Sequence, residues 1–535
     1  MKLPREWLWV FACGVGAFFL LMGPNIENFP PVSSDEVWNL SVSYKLATES
    51  ILGSDLFTGI FHADTHYFFN LPLHHFFQAS VFGVVGVGIW QARLVSLLSG
   101  VILVLTVTWV THRWFGIQTA LLTASFLLFW RSNLIGLPPG IPLIAMARNG
   151  RSDLLAVTFA WLSLLALTNL TNTKRWWGGF LTGFFAGLGA LTQFFGFFVV
   201  PVVGLLWVHQ NRQTWCRHPA TYWLALGFLI VLLPYLTFIL VHYEDFLDQT
   251  LLLKAERINF GNIMFYLENL WAEPQRYAPL LTARTPGPWL ILPAVTAYFL
   301  LYRPSVLPSM QQEGILFLKV SFPLFWLQLI VIDQTKAPLY SVILMPSLCI
   351  LLALLVSKLM TWGLSKPRHN FTVWFQKGLV SVSLALIFVE GSMAHVRDWQ
   401  AAQIVSPYQD VGKQITAHIP PGAQVAGMIR WWWAFFPEPF TTTGNQWARW
   451  RMASQANQTP DFHRIFSEDK LEYIVITKNV REYIIYQPES LETQYWHFLE
   501  TCTRNIALWM DKTYGVIEIY KIEWDSSTCV GKSQL

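Results

Sequence analysis

Residues 219–241 read PATYWLALGFLIVLLPYLTFILV, a run without a charged side chain. An α-helix rises about 1.5 Å per residue, so this run is long enough to cross the ~30 Å hydrocarbon core of a bilayer. Only 13% of the whole chain is charged, about half the fraction found in average soluble domains. The run therefore predicts a membrane-spanning helix and sets the fold class.

Ten further apolar segments predict a polytopic α-helical membrane protein of about eleven spans. The first segment ends near Pro24 and lacks a small-residue cleavage site, so we interpret it as a retained helix rather than a signal peptide. The others lie near 91–111, 118–137, 153–171, 176–192, 194–209, 287–302, 315–332, 337–357 and 376–394. The 27 Trp and 40 Phe are typical of aromatic belts at the membrane–water interface.

Basic residues orient the predicted spans. With a cytoplasmic N-terminus, the inside segments contain only Glu6 and Glu313 as acids but many basic residues: Lys2, Arg5, Arg113, Lys174, Arg175, Arg212, Arg217, Arg303, Lys358, Lys366, Arg368 and Lys377. This positive-inside pattern places loop 25–90, segment 242–286 and the C-terminal region outside, on the periplasmic side of the inner (plasma) membrane in a bacterium. The net charge of +4 therefore requires no nucleic-acid partner.

From about residue 395 the pattern becomes that of a soluble domain. Val411–Ile419, followed by Pro-Pro-Gly, predicts a helix and a turn. The predicted strands are Gln424–Ile429, Leu471–Thr477 and Tyr514–Ile522. We predict a transmembrane domain over 1–394 and a C-terminal extracytoplasmic α/β or α+β domain over 395–535. Cys502 and Cys529 share this domain, so an outer location would permit a disulfide between them.

Outer ionisable residues are candidates for the active site, because charges near bilayer depth are costly. The first group is Asp35-Glu36, after Ser33-Ser34. Adjacent carboxylates can supply a general base and a partner that orients it or holds a cation. The alternative is a helix start with Ser34 as N-cap and the acids in the first turn.

Two more charged groups lie at predicted outer span ends. Arg148 and Arg151 precede Asp153 at the fourth span; they either cap that helix as an Arg–Asp pair or bind an anionic substrate while Asp153 faces a cavity. Lys336, between the ninth and tenth spans, lies where a lipid phosphate would lie. Its alternative roles are snorkelling and pairing with Asp333.

Two further segments permit a ligand without specifying one. His62, Asp64 and His66 have spacings that allow a shared metal ion, but nothing in the sequence fixes their geometry. The tryptophan-rich segment 431–450 could stack on sugar rings, or it could pack in a core or anchor at an interface.

Taken in order, these motifs resemble the membrane glycosyltransferases with the GT-C fold, in the branch of the dolichyl-phosphate-mannose protein mannosyltransferases and the bacterial lipid A aminoarabinose transferase. The resemblance covers roughly residues 1–400. Its elements are Asp35-Glu36, Pro72-Leu73-His74-His75-Phe76-Phe77, Trp90-Gln91-Ala92-Arg93-Leu94, Ala147-Arg148 through Asp153, and Lys336-Ala337-Pro338-Leu339-Tyr340. Aminoarabinose transferases carry Glu-Lys before the Pro-Pro of the first loop, where this chain has Phe69-Asn70-Leu71-Pro72, so that subfamily's substrate is not implied.

The resemblance implies an inverting transfer of a sugar from a polyprenyl-phosphate donor to a protein, lipid or glycan acceptor on the outer face. Asp35 would be the base, Glu36 would orient it, and Asp153 would hold the acceptor or the first-loop helix. The residues implied at the donor phosphate are Lys336, Arg148, Arg151 and Tyr340. No redox cofactor is implied, and the paired acids leave a divalent cation open. Two amphipathic helices at 44–52 and 68–82 would cover the cavity.

Two other functions fit the spans. A transporter or flippase of lipid-linked sugars would explain the intramembrane charges. However, the chain shows no repeated halves, and such a function would not explain its large soluble domain. A surface-polysaccharide polymerase or ligase would use similar lipid-linked donors. The Asp-Glu loop favours the glycosyltransferase.

Overall fold

The computed structural model describes residues 14–16, 18–22, 25–173, 176–257, 263–281, 284–300, 309–362, 370–456, 458–525 and 529. The chain divides into two compact units. The membrane unit comprises Met1–Pro24, Phe69–His74 and Arg93–Gln400, and the sheet unit comprises Asn25–Phe68, His75–Ala92 and Ala401–Leu535. Most of loop 25–90 thus belongs to the same unit as the C-terminal region.

Helices dominate the described chain. In chain order they are α1 (Ser34–Glu49), α2 (Leu73–Val85), α3 (Ile89–Phe115), α4 (Ile117–Phe129), α5 (Pro142–Ala147), α6 (Asp153–Thr173), α7 (Trp176–Ala190), α8 (Val199–Gln210), α9 (Pro219–Val241), α10 (Tyr243–Arg257), α11 (Ile263–Ala272), α12 (Ala278–Leu281), α13 (Ile291–Leu300), α14 (Ser309–Ile332), α15 (Met345–Trp362), α16 (Asn370–Ile404), α17 (Tyr408–Thr416), α18 (Trp432–Phe435), α19 (Thr443–Gln455), α20 (Phe462–Glu468), α21 (Lys478–Ile484) and α22 (Glu489–Cys502). Short 3₁₀ helices cover Asp55–Phe57, Phe194–Phe198, Glu273–Tyr277, Gly287–Leu290, Pro338–Leu344 and Ile429–Trp431.

The membrane unit confirms the predicted helical class. Within the described residues, 6 helices are long and apolar enough to span a bilayer, and Pro219–Val241 is one of them. Shorter apolar helices cover Ile117–Phe129, Phe194–Gln210 and Gly287–Phe299. Each predicted span from 91–111 onward overlaps a helix, whereas the first lies largely outside the described residues. The helix in the predicted span 118–137 ends early, at Phe129, because the Trp130 backbone is extended, with φ −73° and ψ 104°.

Glycines let α7 and α9 pack backbone against backbone. A Cβ added at Gly183 would lie 1.9 Å from the carbonyl oxygen of Leu224, and one at Gly227 would lie 2.1 Å from that of Phe180. Small residues at such contacts are typical of helix association in membranes, where close van der Waals contact replaces the hydrophobic driving force. Helices α7 and α9 are therefore fixed as a close pair.

The sheet unit contains five strands: β1 (Val425–Gly427), β2 (Phe440–Thr442), β3 (Tyr473–Thr477), β4 (Thr503–Asp511) and β5 (Gly515–Ile522). Their order is β2-β1-β3-β5-β4, with β1 parallel to β2 and β3, and β5 antiparallel to β3 and β4. This small sheet with helices confirms the predicted class of the soluble domain. Strand β4 was not predicted, because it is an edge strand with exposed polar residues such as Arg504 and Asn505.

The two helices that were predicted at 44–52 and 68–82 begin at other residues, and the second one, α2, begins at Leu73. Helix α1 starts earlier, at Ser34, and ends before Ser50, whose φ is 60°. Most of its central residues, Val37 and Leu40 among them, are buried inside the sheet unit. Helix α1 is therefore a packed core helix rather than a helix lying on a surface.

A buried polar cluster joins α1 to α2. The Nδ1 atom of His75 lies 3.2 Å from Oγ of Ser43, which lies 2.7 Å from Oε1 of Gln78. The ring of Tyr67 packs edge-on against the His75 ring at 5.5 Å. Burial lowers the pKa of His75 to about 4, and a hydrogen bond with the backbone of Asn39 partly opposes this shift. His75 is thus neutral at pH 7.

A disulfide joins Cys502, at the end of α22, to Cys529. It ties residues after the last strand to the helix before β4. Cys216 is exposed and Cys349 is buried, and both are free thiols. Such a bridge is typical of oxidising compartments.

The buried histidine predicts acid sensitivity. Below pH 6.5 the unfolded chain protonates His75 while the folded chain does not until about pH 4, so the unfolded state binds more protons in this window. We expect the free energy of unfolding to fall as pH drops through it, by up to roughly 3 kcal/mol from this residue. Thermal unfolding of the wild type, His75→Gln and the exposed-histidine control His497→Gln would measure this pH dependence. If the free energy of unfolding had the same pH slope in the wild type and in His75→Gln, His75 would not be its cause.

The disulfide predicts a specific cross-linked peptide. Digestion without reduction should yield Cys502 linked to Cys529 in mass spectrometry, while Cys216 is alkylated in the native protein. Removing the bridge with Cys502→Ser should lower the free energy of unfolding by about 2–4 kcal/mol, because a loop closure in the unfolded chain is lost. Full alkylation of both cysteines in denatured, unreduced protein would show that the bridge is absent.

Candidate active site

The adjacent acids Asp35 and Glu36 lie in the first turn of α1. Ser33 is the N-cap: its Oγ accepts a hydrogen bond from the Glu36 N–H at 3.3 Å, and Glu36 Oε2 accepts one from the Ser33 N–H at 3.1 Å. This reciprocal capping box stabilises the helix end. The helix-start alternative therefore describes the local structure, with Ser33 rather than Ser34 as the cap.

The two acids differ in accessibility. Glu36 is only 1% exposed and is tied into the cap, whereas Asp35 is exposed. The capped first turn of α1 thus presents the Asp35 carboxylate to solvent. This geometry suits a base that must receive a proton from an incoming hydroxyl, since precise placement of the base is a large part of such catalysis.

Arg148 forms a buried ion pair in the membrane unit. Its Nη1 donates to Oδ2 of Asp398 at 2.6 Å, and its Nη2 donates to the carbonyl oxygens of Leu21 at 3.1 Å and Met22 at 3.4 Å. Arg148 and Asp398 are 2% and 5% exposed. The arginine therefore links three separate parts of the chain.

Arg151 and Asp153 form a second ion pair. The Nε of Arg151 donates to Oδ2 of Asp153 at 2.8 Å, at the start of α6. Asp153 is fully buried. The capping alternative therefore describes the local geometry of this pair.

The third predicted group is part of a larger buried cluster. Arg276 lies in the 3₁₀ helix Glu273–Tyr277 and makes a bidentate pair with Glu273 at 2.8 and 3.2 Å. Its Nη1 also donates to Oδ2 of Asp333 at 2.8 Å and to the carbonyl of Ala337 at 2.9 Å, and its Nη2 donates to the carbonyl of Leu329 at 3.3 Å. A guanidinium has five N–H donors, so Arg276 is saturated by these partners.

Lys336 completes the cluster and is not saturated. Its Nζ lies 3.1 Å from Oε2 of Glu273 and donates to the carbonyl of Ile330 at 2.8 Å. An ammonium has three donors, so one N–H of Lys336 has no partner among the described residues. Burial lowers the pKa of Lys336, and the charge of Glu273 partly opposes that shift. The Lys336 backbone has φ 51°, which fixes a tight turn after Asp333.

Tyr340 lies one turn after Lys336 and is mostly buried. Its ring packs at 5.0 Å from the ring of Phe194 and 5.7 Å from that of Phe195. These aromatic contacts hold the 3₁₀ helix Pro338–Leu344 against the 3₁₀ helix Phe194–Phe198. Tyr340 therefore helps to fix the segment that follows Lys336.

An apolar cavity of about 560 Å³ lies beside the cluster. Glu273 and Tyr277 line its polar end, and Tyr277 donates to Oε1 of Glu273 at 3.0 Å. The indole N–H of Trp326 donates to the Tyr277 oxygen at 2.6 Å. The remaining walls are apolar and include Leu134, Leu270, Trp289, Phe322 and Leu348. A charged, hydrogen-bonded end on a hydrophobic cavity suits a lipid with a polar head group.

The proposed metal ligands do not converge on one another. His62 is exposed, and Asp64 and His66 are half-buried in the same loop. Among the described residues, these three do not form a group with ligand atoms close enough to share one ion. The spacing in the sequence therefore does not build a metal site from these three residues alone.

Sequence reasoning missed Glu273, Arg276 and Asp398. The segment 271–280, WAEPQRYAPL, places an arginine on the predicted outer side among apolar residues. The argument that singled out Lys336, a basic residue against the positive-inside pattern, applies equally to Arg276. Asp398 carried no comparable signal, because it lies near the predicted start of the soluble domain.

Comparisons with known proteins agree with the predicted fold. Residues 70–238 match the sequence model of the dolichyl-phosphate-mannose-protein mannosyltransferase family. No curated protein sequence matches the chain.

Solved structures match over nearly the whole chain. ArnT from Cupriavidus metallidurans in the apo state superposes with a TM-score of 0.62 at 14% identity, over 96% of this chain and 98% of that one. The same protein bound to undecaprenyl phosphate gives 0.60 at 14% identity over 98% and 99%. The oligosaccharyltransferase from Archaeoglobus fulgidus gives 0.57 at 10% identity over 97% and 74%. The chain therefore has the GT-C fold of these membrane glycosyltransferases, as its motifs predicted, and residues 70–238 resemble the mannosyltransferase family in sequence.

Proposed function

We propose that this chain is a glycosyltransferase that moves a sugar, with inversion, from a polyprenyl-phosphate donor to a protein, lipid or glycan acceptor on the outer face of the plasma (inner) membrane. The observation that carries the proposal is the buried cluster of Lys336, Glu273, Arg276 and Asp333 beside an apolar cavity. The fold supports it, since two structures that share this fold hold undecaprenyl phosphate or dolichol phosphate.

The apolar cavity takes the first isoprene units of the donor, and Lys336 takes its phosphate. The cavity walls offer apolar side chains to a hydrocarbon chain, whose burial is favourable by about 25 cal/mol per Å². Lys336 keeps one N–H for an anionic oxygen, whereas every donor of Arg276 is engaged. Arg276 thus positions Glu273 and Asp333, and Lys336 makes the direct contact.

The same reasoning assigns supporting roles to the other predicted phosphate ligands. Arg148 and Arg151 are held by Asp398 and Asp153 at 2.6 and 2.8 Å. Removing either arginine would leave a buried carboxylate uncompensated. We therefore propose that these pairs hold the helices around the site.

Asp35 takes the proton of the acceptor hydroxyl. As that oxygen attacks the anomeric carbon, the new C–O bond forms while the bond from the anomeric carbon to the phosphate oxygen breaks. The electron pair leaves with the lipid phosphate, whose negative charge increases. Lys336 stabilises this charge more in the transition state than in the ground state, which accelerates the reaction.

Two features support an outer location for the sheet unit. The distribution of basic residues favours an outer location, and the Cys502–Cys529 bridge is of a kind that persists in oxidising compartments. Polyprenyl phosphate is a suitable carrier there, because it delivers the sugar from within the bilayer.

Replacing the base should abolish transfer without unfolding the protein. Asp35→Asn keeps the helix start but removes the proton acceptor, so we expect the transfer rate to fall by at least about 100-fold. Membranes would be supplied with radiolabelled polyprenyl-phosphate sugars, and label would be followed into protein, lipid and glycan fractions. Asp410→Asn is the matched control, because Asp410 is also exposed in the first turn of a helix of the sheet unit. Near wild-type transfer by Asp35→Asn would refute the base assignment.

Replacing Lys336 should weaken binding of the lipid phosphate. Lys336→Gln removes the positive charge, and we expect the affinity for undecaprenyl phosphate to fall about ten-fold or more, with partial recovery in Lys336→Arg. The binding of undecaprenyl phosphate to purified protein would be measured in detergent. Lys45→Gln is the control, since Lys45 is a buried lysine paired with Asp55 in the sheet unit. Equal affinity in wild type and Lys336→Gln would remove Lys336 from the donor site.

A further inference from the structure

One residue of the membrane unit is held from both sides by buried side chains. The indole N–H of Trp130 donates to the carbonyl oxygen of Gly287 at 2.8 Å, and the Gly287 N–H donates to Oε2 of Glu390 at 2.9 Å. Trp130 is fully buried, and the Glu390 side chain is 10% exposed. Gly287 begins a 3₁₀ helix, and the first N–H groups of a helix have no partners within it. Trp130 and Glu390 therefore hold this helix start, and we call the three residues the Gly287 clamp.

Glycines allow the backbones to meet at the Gly287 clamp. A Cβ added at Gly287 would lie 2.4 Å from the carbonyl oxygen of Arg131 and 2.7 Å from Oε2 of Glu390. A Cβ added at Gly391 would lie 2.2 Å from the carbonyl oxygen of Phe129, the last residue of α4. Small residues permit such close approaches between membrane helices. Gly391 thus brings α16 against the end of α4 and places the neighbouring Glu390 at Gly287.

Glu390 is a carboxylate in a helix that is apolar enough to span the bilayer. Ionisable residues in such helices are costly, and they commonly mark functional positions. Oε1 of Glu390 lies 3.9 Å from Nη1 of Arg131, which balances the charge, whereas the hydrogen bond to Gly287 uses Oε2. The ion pair and the Gly287 clamp are thus formed by different oxygens. A carboxylate also makes a stronger hydrogen bond to an amide N–H than a neutral acceptor does.

The residues next to the Gly287 clamp line the apolar cavity. Pro288 and Trp289, which directly follow Gly287, form part of its wall, and so does Leu134, four residues after Trp130. Pro288 is buried, and proline has a fixed φ. A shift of Gly287 would therefore be passed on to the wall. The position of this wall depends on the two hydrogen bonds of the Gly287 clamp.

We propose that Trp130 and Glu390 are positioning residues for the hydrocarbon chain of the donor lipid. They act through Gly287, which keeps the wall of the cavity in place before the chain enters. A cavity that is already formed binds more tightly, because less of the binding free energy is used to order it. That the chain is a polyprenyl chain rests on the proposed function, whereas the Gly287 clamp itself does not.

The Gly287 clamp and Lys336 act on different parts of the lipid. Loss of the Gly287 clamp weakens binding of the chain, so it should lower the affinity for a lipid with a phosphate and for one without it by the same factor. Loss of Lys336 should lower only the affinity for the lipid that carries the phosphate. If Trp130 and Glu390 served stability alone, their replacement would lower the melting temperature and leave both affinities unchanged.

Native mass spectrometry of the purified full-length protein would measure binding of undecaprenyl phosphate and of undecaprenol, which lacks the phosphate. Glu390→Ala and Trp130→Phe should each weaken binding of both lipids about ten-fold, because each removes a buried hydrogen bond to Gly287. Glu390→Gln keeps an acceptor and should stay within about three-fold of the wild type. His395→Ala is the matched control and should bind as the wild type does. His395 also joins α16 to α4, with Nε2 2.9 Å from the carbonyl oxygen of Leu128, but neither residue lines the cavity.

Three results would overturn the proposal alone: unchanged affinities in Glu390→Ala and Trp130→Phe, a loss confined to undecaprenyl phosphate, or an equal loss in His395→Ala. Failure of the wild type to bind either lipid would overturn both the proposal and the donor cavity. If both lipids bind and depend on the Gly287 clamp, but no sugar is transferred, the proposed function fails while the assignment of Trp130 and Glu390 stands.

Discussion

The saturation of Arg276 by two carboxylates and two carbonyls is the constraint on which the membrane unit's site depends. A buried charge must be paired, and breaking such a pair costs about 3–5 kcal/mol because the remaining charge is left uncompensated. The arginine joins the 3₁₀ helix Glu273–Tyr277 to Asp333 and to the carbonyl of Ala337, which follows Lys336. Arg276 consequently holds both Glu273, which lines the apolar cavity, and the turn that carries Lys336.

In this arrangement Arg276 holds the cluster together, and Lys336 is the residue that is proposed to bind the ligand. Arg276 and Lys336 balance Glu273 and Asp333 in charge, so the cluster is stable without a ligand. The spare N–H of Lys336 is fixed by its pairing with Glu273 at 3.1 Å and does not need to reorganise when an anion arrives. Hydrogen-bond donors that are already oriented stabilise a developing charge more than mobile donors do. The proposed leaving phosphate would meet a donor that is already in place.

The helical class, the sheet domain and the helix start beside Asp35 followed from the sequence because their signals are local. An uncharged run such as 219–241, or two serines directly before two acids, reveals its structure within one segment. The buried clusters did not follow, since their partners are distant: Arg276 and Asp333 are 57 residues apart, and Arg148 and Asp398 are 250 apart. The edge strand β4 likewise depends on its pairing with β5 rather than on residue pattern.

The proposed residues of donor and acceptor belong to different units of the chain. Lys336 and the apolar cavity lie in the membrane unit, whereas Asp35 is carried by α1 in the sheet unit. Helix α1 is buried along its centre and capped at Ser33, so the helix start that carries Asp35 is held from within the sheet unit. Under the proposed function, acceptor preference can thus change in the sheet unit while the donor cluster of the membrane unit stays the same.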